Sequence, residues 1–313
     1  MGPYARISLA GFLTWSVVLA AIGVGLHNDD QLPQGPYVAL GDSYTSGPKI
    51  PNQNGTPAGC DRSDHNYPAL IAHDLKLKAA DFHDVSCSGA TIANLTTPQT
   101  TDNGTNPAQL SVLSPATRLV TLGIGGNDID FATLIRQCVK VGVVSNLLSR
   151  IADISVGAPC RREHVTAGTD TIQQKIQTAS SRLSGALVQI RRQAPRARIY
   201  IVGYPAILPD RGTDCARPMG LATGDVTYLR QEVQQLNAAL HQQALAAGIG
   251  YVDTYTPSIG HDACSPQNTR WIEPLLPRVP AISVHPNQRG ELGIARAVLH
   301  ALKARSQNRW RSR

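Results

Sequence analysis

The chain has 313 residues, with 29 lysines and arginines against 22 aspartates and glutamates, a formal net charge of +7 and 42% hydrophobic residues. No repeat or low-complexity linker divides it, and the stretch of about 280 residues beyond the apolar N-terminal run suits one domain rather than an array. The modest positive balance, gathered most densely at the C-terminal end, implies no nucleic-acid partner.

Ile7–Leu26 is a run of 20 uncharged residues between Arg6 and the pair Asp29 and Asp30. As a helix it spans about 30 Å, the thickness of a bilayer's hydrocarbon core. It is longer than the core of a cleaved secretory signal and lacks a clean A-x-A site, so an uncleaved signal anchor is expected ahead of a cleaved peptide. Either way Arg6 favours a cytoplasmic N-terminus and sends the chain outward, and a retained segment makes the membrane a partner. Residues 1–35 are read as this segment and a short linker, 36–302 as the folded domain, and 303–313, with its run of Lys303, Arg305, Arg309, Arg311 and Arg313, as a solvated, disordered tail.

Tyr37–Leu40 reads as the first buried strand. Gly41 then permits a sharp turn, and Ser43 emerges at the carboxyl edge of a sheet, where open α/β proteins hold their ligands. A serine there is either a helix N-cap or a nucleophile. Pro48–Asn66 and Thr96–Pro107 are polar, Pro/Gly-rich loops. Leu119–Leu122 is a second strand, running into Gly123-Ile124-Gly125-Gly126-Asn127. Those glycines lack the Lys-Ser/Thr of a P-loop and the spacing of a dinucleotide fingerprint, so nucleotide binding is not expected. Ile172, Ile176, Leu183, Leu187 and Ile190 keep helical spacing, as do Leu229, Val233, Leu236 and Leu240 within Asp225–Ala247. Strands at Ile199–Val202 and Tyr251–Asp253 alternate with them, and Ser258–Ala281 is a third long loop. The alternation predicts an α/β fold: a single doubly wound parallel sheet flanked by helices, a flavodoxin-like sandwich with an N-terminal hydrophobic helix, whose loops carry substrate selection.

Near the C-terminus Ser283-Val284-His285-Pro286-Asn287-Gln288-Arg289-Gly290 supplies a histidine followed by helix-start residues. Ser43 after Gly41-Asp42, Gly89 in Cys87-Ser88-Gly89-Ala90, Asn127 after the glycine turn and His285 occur in the order of the SGNH hydrolases, the GDSL lipase and esterase family, which the chain resembles over residues 38–290. The resemblance implies that His285 takes the proton of Ser43 as it attacks an ester carbonyl. It also implies an oxyanion hole from the Ser43 N–H, the Gly89 N–H and the Asn127 amide, each worth roughly 3–4 kcal/mol. No cofactor belongs to this chemistry.

Most members carry an aspartate three residues before the histidine; here Ile282 stands at that position. Some secreted actinobacterial-type members manage with a Ser-His dyad in which a backbone carbonyl accepts the histidine Nδ1–H. In this chain that carbonyl belongs to Ser283 or Ile282. It fixes the tautomer without supplying a full charge. Asp262 and Glu273, the nearest acidic alternatives, lack the family spacing and are expected at the surface or in loops. His261, beside Asp262, is the one further histidine kept as a candidate; the others are expected at the surface.

All six cysteines follow the apolar run, and six permit 15 pairings. No Cys-x-x-Cys or clustered Cys/His spacing occurs, so no metal site is expected. The resemblance to three-disulfide secreted lipases implies Cys60–Cys87, Cys138–Cys160 and Cys215–Cys264, each closing a loop worth roughly 3–4 kcal/mol. The expectation is an extracytoplasmic, monomeric serine lipase or esterase acting on acyl esters, lipid esters foremost. A carbohydrate acetyl esterase of the same family and an inactive surface-binding protein of the same fold are the alternatives.

Overall fold

The computed structural model describes residues 32–54, 59–152, 157–210 and 215–311. Ile7–Leu26 therefore lies outside the described residues, and among these no helix is long and apolar enough to cross a membrane. Pro33–Ala301 forms one compact unit, and the described residues outside it are Leu32 and the last turns of the C-terminal helix.

Five parallel strands, β1 (Tyr37–Gly41), β2 (Phe82–Asp84), β3 (Leu119–Gly123), β4 (Arg198–Val202) and β5 (Gly250–Val252), form the central sheet in the order β5-β4-β3-β1-β2. Every residue of β1 and β3 is buried, as expected of strands covered on both faces. Their register sets Leu40 beside Leu122 and Gly41 beside Gly123. β2 has no counterpart in the sequence reading. Phe-His-Asp offers only three residues, without an apolar run, and it lies at the sheet's edge.

The main helices are α1 (Ser43–Ser46), α2 (Tyr67–Asp74), α3 (Phe131–Ala152), α4 (Thr171–Gln193), α5 (Thr223–Ala246) and α6 (Gln288–Arg311). Asp170 caps α4 by accepting from the Ile172 N–H, and the face of Ile172, Ile176, Leu183, Leu187 and Ile190 is buried. On α5 the buried face is Leu229, Val233, Leu236 and Leu240, and α4 packs against α5. The last helix reaches Arg311, into the segment read as a solvated tail: no glycine or proline follows Gly293, and Ala, Leu, Lys, Arg and Gln are strong helix formers.

The chain passes from β1 to β2 on one side and then crosses to β3 on the other. Strand order thus reverses at the carboxyl ends of β1 and β3, and the crevice of an open α/β sheet opens at such a point. The disulfides join Cys60 to Cys87, Cys138 to Cys160 and Cys215 to Cys264.

Candidate active site

Ser43 opens α1 directly after β1. The Asp42 N–H donates to the Gly123 carbonyl (3.0 Å), while the Asp42 carboxylate caps the helix by accepting from the Tyr44 N–H (2.9 Å). A Cβ on Gly41 would lie 2.6 Å from the Gly123 carbonyl oxygen, so only glycine lets β1 turn this close to β3. Gln109, 4% exposed, holds the same residue from the other side: its amide donates to the Gly41 carbonyl (2.9 Å) and accepts from the Gly41 N–H (2.8 Å).

His285 reaches this turn from 242 residues away, its Nε2 2.7 Å from the Ser43 hydroxyl oxygen. Its Nδ1–H donates to the Ser283 carbonyl (2.9 Å), the tautomer that leaves Nε2 to accept from the serine hydroxyl. Of the two candidate carbonyls the ring uses Ser283; the Ile282 carbonyl accepts from the His285 backbone N–H (3.3 Å). Val284 between them has φ +63°, a left-handed conformation costly for a β-branched residue. It is held by a hydrogen bond from its N–H to the Glu273 carbonyl (2.9 Å) and by the Tyr44 hydroxyl, which donates to the Val284 carbonyl (2.5 Å). The Tyr44 ring also packs on the imidazole, centroids 4.6 Å apart.

Asp262 and Glu273 are not surface residues: they are 3% and 0% exposed. Each is occupied elsewhere. Asp262 accepts from the Cys264 N–H (2.9 Å), and Glu273 from Arg270 (3.0 Å), Asn287 (2.8 Å) and the Arg278 N–H (2.8 Å). His261 bonds the Thr269 carbonyl (2.6 Å) and stacks on Trp271, away from Ser43.

The Asn127 amide donates one hydrogen to the Ala90 carbonyl (2.9 Å), and Asp128 accepts from the Ile92 N–H (2.9 Å). These bonds staple the loop after β3 to the Cys87–Ala90 turn, which the Cys60–Cys87 disulfide also anchors. Gly89 is exposed at φ +78° and does not line the cleft beside Ser43, whereas Asn127 does. Among the described residues neither the Ser43 nor the Gly89 backbone N–H has a hydrogen-bond partner.

That cleft encloses about 250 Å³. Ser43, Asn127 and His285 stand at its polar end, and its wall is apolar, with Phe131 and Ile135 of α3, Val233 and Leu236 of α5, Ile207 and Leu275. Helices rather than the long polar loops therefore build most of the wall; among the described residues of those loops only Leu275, in Ser258–Ala281, lines it.

Sequence reasoning assigned no role to Asp42, Tyr44 or Tyr204, all of which line the cleft. The Tyr204 hydroxyl donates to Asp42 (2.5 Å) and accepts from the Gly126 N–H (2.8 Å), tying the Ser43 turn to the loop of Asn127. Burial pushes the Asp42 carboxyl up to about 7, against the opposing pull of its bonds to Tyr204 and the Tyr44 N–H. Burial also lowers His285 to about 4, only partly offset by its bond to Ser283. Because the ring is half-buried at the cleft mouth, solvent moderates that shift. With no carboxylate to raise it, the acid limb of kcat/KM is expected below the usual histidine value of about 6.5 and towards 4. A pH–rate profile on a soluble ester checks this; a limb at 6.5 or above means a carboxylate partner. An inflection near 7 that Asp42→Asn removes belongs to Asp42 and not to His285.

Residues 39–291 match the model of the GDSL-like Lipase/Acylhydrolase family. The chain is 40% identical over 268 residues to Lipase 2 of Streptomyces coelicolor, covering 85% of each, and 31% identical over 292 residues to Lipase 1 of the same organism. Among solved structures it is similar to an extracellular lipase from Streptomyces rimosus (27% identity, TM-score 0.68, 86% of this chain and 100% of that one). It is also similar to phospholipase A1 from Streptomyces albidoflavus (28% identity, TM-score 0.65, 85% and 99%). With the parallel sheet and these relatives together, the chain belongs to the GDSL-like lipase/acylhydrolase family and is a carboxylic ester hydrolase.

Proposed function

We propose that the protein is an extracytoplasmic lipase or esterase that cleaves acyl esters of lipids through a Ser43–His285 dyad and an acyl-enzyme. The observation that carries the reading is the 2.7 Å contact between the Ser43 hydroxyl and His285 Nε2 at the end of an apolar cleft. His285 takes the hydroxyl proton as Oγ adds to the ester carbonyl. The carbonyl oxygen, gaining charge, is met by the Ser43 N–H and the second amide hydrogen of Asn127, both at the cleft; the Gly89 N–H, outside the cleft lining but beside the Ala90 carbonyl that holds Asn127, is the third donor that the motif order supplies. The protonated imidazole, steadied by the Ser283 carbonyl, then returns the proton to the leaving alkoxide. Water deprotonated by the same Nε2 clears the acyl-enzyme and releases the acid.

The cleft favours a substrate with an acyl chain over an acetyl group, since its aliphatic and aromatic wall gains by excluding water from methylenes at roughly 0.8 kcal/mol each. Three disulfides suit an oxidising compartment. The apolar run Ile7–Leu26 supplies the export signal or anchor.

The test is hydrolysis of p-nitrophenyl esters from acetate to palmitate, with Ser43→Ala as control. Turnover extending to medium or long chains and lost in the variant is the expected result. Activity confined to acetate would instead identify a carbohydrate-type acetyl esterase, and no turnover on any chain would leave a binding protein of the same fold.

A further inference from the structure

The outward face of α3 changes character along its length. Its first half presents Thr133, Arg136, Gln137 and Lys140 to solvent, and its second half presents Val143, Val144, Leu147, Leu148 and Ile151, which are 54%, 57%, 59%, 55% and 74% exposed. The spacing i, i+1, i+4, i+5, i+8 makes these five one stripe. The opposite side of the helix is already used. Leu134, Ile135 and Cys138 are in the core, and Gly142 lies against the Gly220 backbone, where a Cβ would come 2.5 Å from its carbonyl oxygen. The stripe is therefore not a misplaced core face. An exposed aliphatic patch of this kind in a folded domain marks a binding surface.

Two observations say what it meets. First, the helix is charged with one sign: its 22 residues include Arg136, Lys140 and Arg150 and no acidic residue. The short helix Pro159–His164, tied on by Cys138–Cys160, carries exposed Arg161 and Arg162, but their charges also act on Glu232 and Asp225, so the cations counted for this face are those of α3 itself. The nearest acid at the start of α3, Asp130, is already paired with Lys175 (2.7 Å). Second, the same helix lines the cleft at its N-terminal turns through Phe131, Ala132, Ile135 and Arg136, of which Ala132 and Arg136 are also exposed, so the outer face and this rim of the cleft belong to one helix. Aliphatic residues with cations on the same face, and no anions, suit a helix lying in a lipid–water interface with anionic headgroups.

We propose that the outward face of α3 docks the enzyme on such an anionic lipid surface and sets the cleft mouth over it. This rests on the reading of the protein as a lipid esterase. Leu147 and Ile151 enter the acyl region of the interface, while Arg136 and Lys140 stay among the headgroups.

The experiment uses the full chain carrying Leu148→Trp, mixed with phosphatidylcholine vesicles containing phosphatidylglycerol, with and without brominated acyl chains. Blue-shifted emission and quenching beyond that of the parent, whose own tryptophans are Trp15, Trp271 and Trp310, are expected. Because the probe is local, binding through Ile7–Leu26 alone gives no added quenching, and that result would overturn the proposal. So would a blue shift before vesicles are added, which means the chain itself covers the face, or a dimer dispersed by Leu147→Glu, which means a second copy does.

In a second arm Leu147→Glu/Ile151→Glu should slow hydrolysis of vesicular or emulsified lipid at least about tenfold. Hydrolysis of soluble p-nitrophenyl butyrate should stay within about twofold, as for surface substitutions. Equal rates on lipid would count against the face. A parent inert towards the soluble ester would instead sink the ester-hydrolase reading, and the quenching result would still judge the surface.

Discussion

Replacing His285 by alanine is expected to lower kcat on p-nitrophenyl butyrate by roughly four to six orders of magnitude, and Ser43→Ala by a similar factor. The double variant should lose no more than either single one, because in the proposed dyad nucleophile and base act in one step and removing either removes the step. The 2.7 Å hydroxyl–imidazole contact leaves no room for another base between them. Asp262→Asn is expected to change kcat/KM by less than about twofold, since the carboxylate serves the Cys264 N–H and an amide oxygen can accept the same bond. Ser283→Ala should be equally mild, because the group that orients the imidazole is the backbone carbonyl at that position. Steady-state kinetics with circular dichroism as a folding control reads all five variants. A loss at Asp262 on the scale of His285 would replace the dyad by a triad.

The second large effect is on stability. Glu273→Ala is expected to cost about 3–5 kcal/mol, the range for removing one partner of a buried ion pair. Glu273 is fully buried and 3.0 Å from Arg270, itself 8% exposed; without the carboxylate a buried guanidinium, the Asn287 amide and the Arg278 N–H lose their acceptor together. The damage should extend to the site, because the Glu273 N–H donates to the His285 carbonyl (3.0 Å) and its carbonyl accepts from Val284. Urea midpoints with the disulfides intact measure the loss. Burial alone would raise the Glu273 carboxyl, but hydrogen bonds from the Arg278 N–H, Asn287 and Arg270 outweigh it and hold it below its ordinary value. A carboxylate depressed in the folded state stabilises fully above its unfolded value of about 4.3, and that stability is lost as pH falls through the folded value. The gap between parent and variant should accordingly be full at neutral pH and narrow below about pH 4. A gap independent of pH would mean that Glu273 contributes packing and not charge.

What the residues dictate locally could be read in the chain. Tyr37–Leu40 and Leu119–Leu122 are continuous apolar runs because a central parallel strand is covered on both faces, and the α4 and α5 stripes keep a 3.6-residue period because one face of each packs inward. The motifs around Ser43, Gly89, Asn127 and His285 were legible for the same reason: each is short, lies at the end of an element and depends on residue type more than on distant context. α3 was not legible, since Val143, Val144, Leu147 and Leu148 on its outer side blur the period that its buried side would display alone. The Ser283 carbonyl could not be told from that of Ile282, because the choice hangs on φ +63° at Val284, held by Glu273 and Tyr44 from elsewhere in the chain. Asp262 and Glu273 looked like loop acids because burial is a property of what folds over a residue. The Asp42–Tyr204 bond spans 162 positions and the cleft wall joins α3 to α5, so the sequence alone specified the chemical groups and the alternation of elements, while their distances, burial and shared cavity arose only when the sheet brought these segments to one edge.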